Sequence, residues 1–502
     1  MTMQPSQQYP PQTAPKRQWM GACLAIIGAL SAFACVASIV AALLLPSIYR
    51  SQRPELQAIW CNRAERVGAN FVCDWKPTVP ADTLPTVPVT PVDDPFAILT
   101  PATSTPDPSG AQPAATESGL NITPAQPLAV QNQVTNTPTP TITVTPTAST
   151  VPPTAIPTAT PSATPTDLPV LHKLDTGSLI YQAQTWNNCG PATLSMAMSY
   201  FGYRNNQSVA ARFLKPNGED KNVSPYQMVN YVNQQASAET NIRALYRVGG
   251  DLDLLRLLLL NEFPVIIEKG YDVQDLGWMG HYLLMIGYDD NQEIFYTYDS
   301  FLGHGNSRGL PESYTDVSFY WQHFNYTFIV IYPPERQQYL LELLGELADP
   351  VKAAEKALAT ASAQAAAAPE DNWAWFNIGH SYSLLEDHVR AAQAFDRAFS
   401  IGMPWRTLWY LHMPYQSYYA TGRYEDILSY AASIESNTVY VEETFYYRGI
   451  VLATQGDSEG AIQAFTQALT YNNNYQAARV AREAVQNGTF TKELALGISV
   501  TG

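Results

Sequence analysis

Between about Lys76 and Pro169 the chain is built mainly of Pro, Thr, Ala and Ser, with runs such as Thr-Pro-Thr-Pro and almost no basic residues. A stretch so poor in large apolar side chains cannot bury a core, so any packed domain must lie on one side of it or the other. Its prolines favour extended polyproline II at about 3 Å per residue, which makes a semi-stiff stalk able to reach well over 100 Å.

On the N-terminal side, a short polar tail over 1–18 precedes a run from Trp19 to Leu45 without a charged residue. At about 1.5 Å per residue that run reaches roughly 40 Å, enough to cross a bilayer with tilt, so 19–46 is expected to be a single transmembrane helix. A cleaved secretory signal is the rival, but the apolar run exceeds its usual length and Leu45-Pro46-Ser47 offers no small-x-small site. Lys16 and Arg17 on one side nearly balance Arg50 and Arg53 on the other, leaving orientation open by charge. In the juxtamembrane segment 47–75, Cys61 and Cys73 bracket a short loop, while Cys189 is left over. This arithmetic suits an oxidising exterior with one disulfide and one free thiol, although two reduced juxtamembrane cysteines fit the same spacing. The expected setting is a bacterial cell membrane, with the C-terminal domains outside the cytoplasm. A net charge of −16, from 28 basic and 44 acidic residues, argues against nucleic acid as a partner.

Order is expected to resume near Leu171. Helical patterns cover Pro191–Phe201, Ser224–Gln235 and Leu252–Asn261; strand patterns cover Pro264–Glu268, His281–Tyr288, Glu293–Tyr298 and Tyr326–Tyr332. Helices first and strands afterwards make an α+β domain over 170–334, about 165 residues, with an Asp289-Asp290-Asn291 turn closing a hairpin. Past Pro333-Pro334 the pattern is wholly helical. Gly379, Tyr382, Ala391, Phe395 and Ala398 recur as Gly449, Leu452, Ala461, Phe465 and Ala468 at a constant offset of 70, with Tyr415, Ile427, Ala431 and Ile434 at matching places between. Over 351–486 these spacings resemble tetratricopeptide repeats, which implies an all-α solenoid of stacked helical hairpins with a concave face for a protein partner.

Chemistry is concentrated in Gln184-Thr-Trp-Asn-Asn-Cys189-Gly-Pro-Ala-Thr. A lone cysteine stands where a helix begins, at the end that favours negative charge, and Pro191 suits a first turn. Leu194, Met196, Ala197, Met198 and Phe201 are expected to form the buried stripe that anchors it. A nucleophilic thiol needs a base and a group to orient that base, and His281 and Asp299, about 90 and 110 residues on, are candidates at the facing ends of neighbouring strands. His304 and His323 are rivals for the base, and Asp289 and Asp290 for the orienting carboxylate. Gln184 or Gln182 could stabilise an oxyanion with the Cys189 backbone N–H. The Asp-Leu-Gly-Trp-Met-Gly segment before His281 reads as a mobile flap or an ordinary glycine loop.

Gln184, Asn188-Cys189-Gly190-Pro191-Ala192, Gly280-His281-Tyr282 and Tyr298-Asp299-Ser300 together resemble the papain-like cysteine peptidases that process bacteriocins at double-glycine leaders. The resemblance implies a papain-like fold, with Cys189 as nucleophile, His281 as general base, Asp299 as its orienting group and Gln184 at the oxyanion hole. No metal or organic cofactor is implied. Such enzymes are usually fused to transporters, whereas this chain carries no P-loop motif. The expected activity is therefore a membrane-anchored thiol hydrolase acting on exported peptides or proteins, with the repeats docking substrate or partner. An inert tethered scaffold that binds exported proteins through the repeats is the alternative, and acyl transfer by the same Cys-His-Asp chemistry a third reading.

Overall fold

The computed structural model describes Leu84, Phe96 and Ile98 together with residues 168–273 and 277–497. The apolar run Trp19–Leu45, Cys61 and Cys73 lie outside the described residues. Among those described, no helix is long and apolar enough to cross a membrane.

Residues 171–332 form a single antiparallel sheet flanked by helices. In chain order they are β1 (Leu171–Lys173), α1 (Cys189–Ser199), α2 (Gln207–Leu214), α3 (Pro225–Gln234), β2 (Arg243–Arg247), α4 (Leu252–Leu260), β3 (Val265–Val273), β4 (Gly277–Asp289), β5 (Ile294–Tyr298), β6 (Leu310–Ser313), α5 (Tyr314–Gln322) and β7 (Phe328–Tyr332). The strand order is β2-β7-β3-β4-β5-β6, with β1 paired to the end of β4. β4 is the axis of this sheet. Its first part pairs with β3 from Gly277↔Val273 to Met285↔Val265, and its last three residues take β1 instead, from Gly287↔Lys173 to Asp289↔Leu171. The change of partner depends on Gly287, where a Cβ would lie 2.6 Å from the His172 carbonyl oxygen. On the other side β5 pairs from Leu284↔Tyr298 to Asp289↔Ile294, with a register shift between Met285 and Gly287.

The hairpin closes on the acidic turn expected for it: Asp289 Oδ1 accepts the Asn291 N–H at 3.0 Å. Other elements depart from the expectation. α1 has no exposed face beyond Cys189, since Gly190 through Ser199 are all buried, so it is a central core helix rather than an amphipathic one with a stripe. His281 is the fifth residue of β4 rather than its first, because Gly277–Gly280, expected in a flap or loop, are already paired with β3. Positions 274–276 lie outside the described residues. α2, β2, β6 and α5 were not anticipated. β2 is an edge strand with arginine at both ends, and α2 follows a conventional cap, the Asn206 side chain accepting the Ser208 N–H.

Beyond β7 the chain is helical: α6 (Gln337–Leu344), α7 (Pro350–Ala367), α8 (Asn372–Leu384), α9 (His388–Ile401), α10 (Met413–Ala420), α11 (Tyr424–Asn437), α12 (Glu442–Thr454), α13 (Ser458–Tyr471), α14 (Gln476–Gln486) and α15 (Lys492–Gly497). Asp349, Asp371, Asp387 and Asp457 cap four of these helices through their carboxylates. Glycine lets α8 and α9 meet closely, since a Cβ on Gly379 would fall 2.7 Å from the Phe395 ring. The same holds for α12 and α13, where Gly449 faces Phe465 at 2.5 Å.

Two hydrophobic cores result, and neither stops at Pro333-Pro334. Leu340, Leu344, Leu347, Ala353 and Ala357 belong to the core of the sheet domain, whereas Trp278 and Phe324 belong to the core of the helices. The helices also take up part of the Pro/Thr-rich stretch. Leu84 and Ile98 are buried against them, Leu84 N–H donates to Met403 O at 2.8 Å, and Tyr382 Oη donates to Ile98 O at 2.7 Å.

Candidate active site

Cys189 is the first residue of α1 and the only residue of that helix that is not buried. The loop before it is sharply bent. Asn187 adopts a positive φ of 53°, and Asn188 Nδ2 donates to Thr185 Oγ1 at 2.6 Å. The helix is packed closely behind the sulfur: a Cβ at Gly190 would lie 2.4 Å from Val223 Cγ2, in the loop ahead of α3, and 3.4 Å from the Tyr282 ring of β4, and Thr193 Oγ1 donates to Tyr282 O at 3.2 Å. The thiol is thereby carried on a helix with no freedom to shift relative to the strand that bears His281.

β4 delivers His281 and the end of β5 delivers Asp299. His281 Nε2 and Asp299 Oδ1 are 3.0 Å apart, both side chains being buried. The Cys189 side chain lies close enough to the same ring to act on its charge, so the ring is approached by both thiol and carboxylate. With Nε2 committed to Asp299, Nδ1 is the ring nitrogen left for the sulfur. Burial by itself would lower the His281 pKa, but the charge and hydrogen bond of Asp299, with the Cys189 side chain, overcome it and raise the value to about 10. Burial would raise the Asp299 pKa, yet the His281 charge and the backbone N–H groups of Leu302 and Phe301 lower it to about 2. Those two N–H groups reach Oδ1 at 3.0 and 2.7 Å, so the carboxylate is held by its own turn as well as by the ring. The Asp299 carbonyl accepts from Tyr181 Oη at 3.1 Å, and Asp299 exchanges backbone hydrogen bonds with Gly303.

The structure separates the two glutamines. Gln182 is consumed at the start of α2, with Oε1 accepting the Gln207 N–H at 2.6 Å. Gln184 is tied to the residue after Asp299: its N–H donates to Ser300 O at 2.8 Å and its Oε1 accepts from Ser300 Oγ at 2.9 Å. With the carbonyl end of the amide anchored, the Nε2 end is the donor it can present. The rival histidines are engaged elsewhere. His304 stacks on Tyr181 with ring centroids 4.1 Å apart, and His323, its pKa lowered by burial to about 3, accepts from Trp278 Nε1 at 3.0 Å. Asp290 accepts from Arg256 at 2.8 Å and Asp289 serves its turn, so neither reaches the ring.

Several contributors were given no role by the sequence reading. Ser300 tethers Gln184, and the Tyr271 ring lies 5.7 Å from that of His281. Trp186 donates from Nε1 to Glu219 Oε2 at 2.9 Å, which steadies the loop ahead of the thiol. Only Ser300 carried a sequence signal, as the residue adjoining Asp299. Among the described residues no group of three or more His, Cys, Asp or Glu side chains is placed to hold a metal ion.

Compared with known proteins, residues 174–327 match the Peptidase_C39 like family, and those residues carry a cysteine peptidase-like domain of that kind. A solved structure from Bacillus anthracis described as a C39-like peptidase is similar at 16% identity and a TM-score of 0.26, covering 32% of this chain and 96% of its own. No curated protein matches the chain.

Proposed function

We propose that the chain is a cysteine peptidase-like thiol hydrolase that cleaves amide bonds in peptides or proteins. The observation that carries this reading is the His281 ring, hydrogen-bonded to Asp299 and close enough to the Cys189 side chain to be influenced by it. Cys189 sulfur forms a bond to the substrate carbonyl carbon while its proton passes to His281. The resulting oxyanion is met by the Gln184 amide and the Cys189 backbone N–H. As the C–N bond breaks, His281 returns its proton to the departing amine and a thioester remains. Water then gives a proton to His281 and attacks the thioester; the C–S bond breaks, carboxylate leaves, and the thiol recovers its proton. Once the ring has taken that proton, Asp299 favours its charged form until the departing amine is ready to receive the proton.

The test is alkylation of the soluble part with iodoacetamide near neutral pH, followed by peptide hydrolysis. Labelling should map to Cys189, and His281→Ala should slow it and reduce hydrolysis by about 10²–10⁴-fold. Equal labelling with and without His281 would remove the base-activated thiol. The charge-free run Trp19–Leu45 supports a single-pass anchor with the enzyme outside the cytoplasm, which protease accessibility in intact cells tests. The close Gly379–Phe395 and Gly449–Phe465 contacts at one offset support tetratricopeptide-like repeats that dock a protein partner or substrate.

A further inference from the structure

The strand segment leading into His281 is held from the C-terminal helices. Trp278 is buried with its ring stacked on Phe324 at 5.8 Å, beside Trp373 of α8 at 5.0 Å, and edge-on to Tyr410 at 5.6 Å. Its carbonyl accepts from Arg406 Nη1 at 3.3 Å. Two residues later, a Cβ on Gly280 would lie 2.7 Å from Tyr410 Cδ1 and 2.8 Å from Phe324 Cζ, so the tyrosine ring rests on the backbone next to His281. The Tyr410 hydroxyl lies near the Gly280 N–H and close enough to Cys189 and Glu268 to feel their charges. Arg406 and Tyr410 flank a 3₁₀ turn, Thr407–Trp409, between α9 and α10.

The same turn reaches the nucleophile loop. Lys221 Nζ lies 5.7 Å from the Trp409 ring and 5.8 Å from that of Trp186, three residues ahead of Cys189. One short segment of the helical array thus touches the strand that carries the imidazole and, with Lys221 between, approaches the loop that carries the sulfur.

We propose that Tyr410 is a positioning residue of the active site: supplied by the C-terminal helices, it fixes Gly280 and thereby sets the His281 ring against the Cys189 sulfur. The proposal rests on the thiol-hydrolase reading. It gives the helical array a role in catalysis itself, separate from any docking role.

The experiment is the rate of iodoacetamide labelling of Cys189 against pH, in the full chain, for wild type, Tyr410→Phe, His281→Ala and the double variant. Tyr410→Phe keeps the ring that fills the space over Gly280 and removes only the hydroxyl, so cooperative thermal unfolding should persist. Labelling at pH 7 should fall about tenfold, its pH profile should move toward that of His281→Ala, and the double variant should be no slower than His281→Ala alone. Should Tyr410→Phe unfold at assay temperature, Arg406→Lys, which alters the grip on the Trp278 carbonyl, reads the same coupling. Labelling that depends on His281 but is untouched by either variant removes this inference alone. An equal slowing by Tyr410→Phe with or without His281 also overturns it, because the residue then acts by another route. Labelling that His281→Ala does not slow removes the hydrolase reading and this inference with it.

Discussion

At the residue scale the site is a chain of single, directional contacts, and each can be cut separately. Gln184 illustrates this: Ser300 holds its carbonyl end, which leaves its Nε2 group for the proposed oxyanion. Gln184→Ala should therefore slow amide hydrolysis by about 10²–10³-fold while leaving iodoacetamide labelling within about twofold, since alkylation builds no oxyanion. A common loss in both assays would mean that Gln184 merely supports the loop. The His281–Asp299 pair makes a pH-dependent contribution to stability. The ring pKa is raised from 6.5 to about 10, so its contribution is complete below pH 6.5 and is lost as pH climbs through 10. The carboxylate is depressed from 3.8 to about 2, so its contribution is complete above 3.8 and is lost as pH drops through 2. Thermal or urea unfolding of Asp299→Asn should show a deficit of about 3–5 kcal/mol, widest between these two limits and shrinking above pH 10. A deficit that does not vary from pH 4 to 11 would point to packing instead. Cys189 and His281 were readable because the chain has only 5 cysteines and 7 histidines, and Asp299 by its place at the end of the strand beside that of His281. Tyr181, Tyr271 and Tyr410 were not, because the chain has 30 tyrosines and only folding selects three of them.

At the scale of elements, close packing replaces chemistry as the determining influence. α1 lies so near the loop ahead of α3 that Gly190→Ala must displace Val223, and a destabilisation of about 1–3 kcal/mol by denaturant unfolding is expected. Gly449→Ala should cost about as much against Phe465, and Phe465→Leu should recover part of the loss by opening space on the far side. If the two changes simply add, the contact is not the cause. Long apolar elements such as β7 and α4 were legible, since Phe-Ile-Val-Ile-Tyr and the leucine run tolerate one reading each. β2 was hidden by its terminal arginines. The first part of β4 was hidden by Gly277 and Gly280, which read as loop residues until their pairing with β3 and their neighbours Trp278 and Phe324 are known.

For the whole molecule, the division at Pro333-Pro334 marks a change of secondary structure but not a gap between cores. Ala353 and Ala357 of α7 lie against Gly249 of the sheet domain, while Trp278 of the sheet domain packs against Trp373 and Tyr410 of the helical region. A chain ended at Pro334 should consequently expose Trp278 and Phe324, bind a hydrophobic dye, and melt below the full chain; equal melting would show the cores to be independent. Such sharing cannot be read from composition or periodicity, because each segment satisfies its own pattern.

Gly280 and Tyr410 occupy the same volume in the sense that neither can enlarge without evicting the other. Over evolutionary time the two positions are bound to drift as a couple: in relatives that keep these helices, a side chain should arise at 280 only where the aromatic at 410 has shrunk, and relatives without the helices should be released from the restriction.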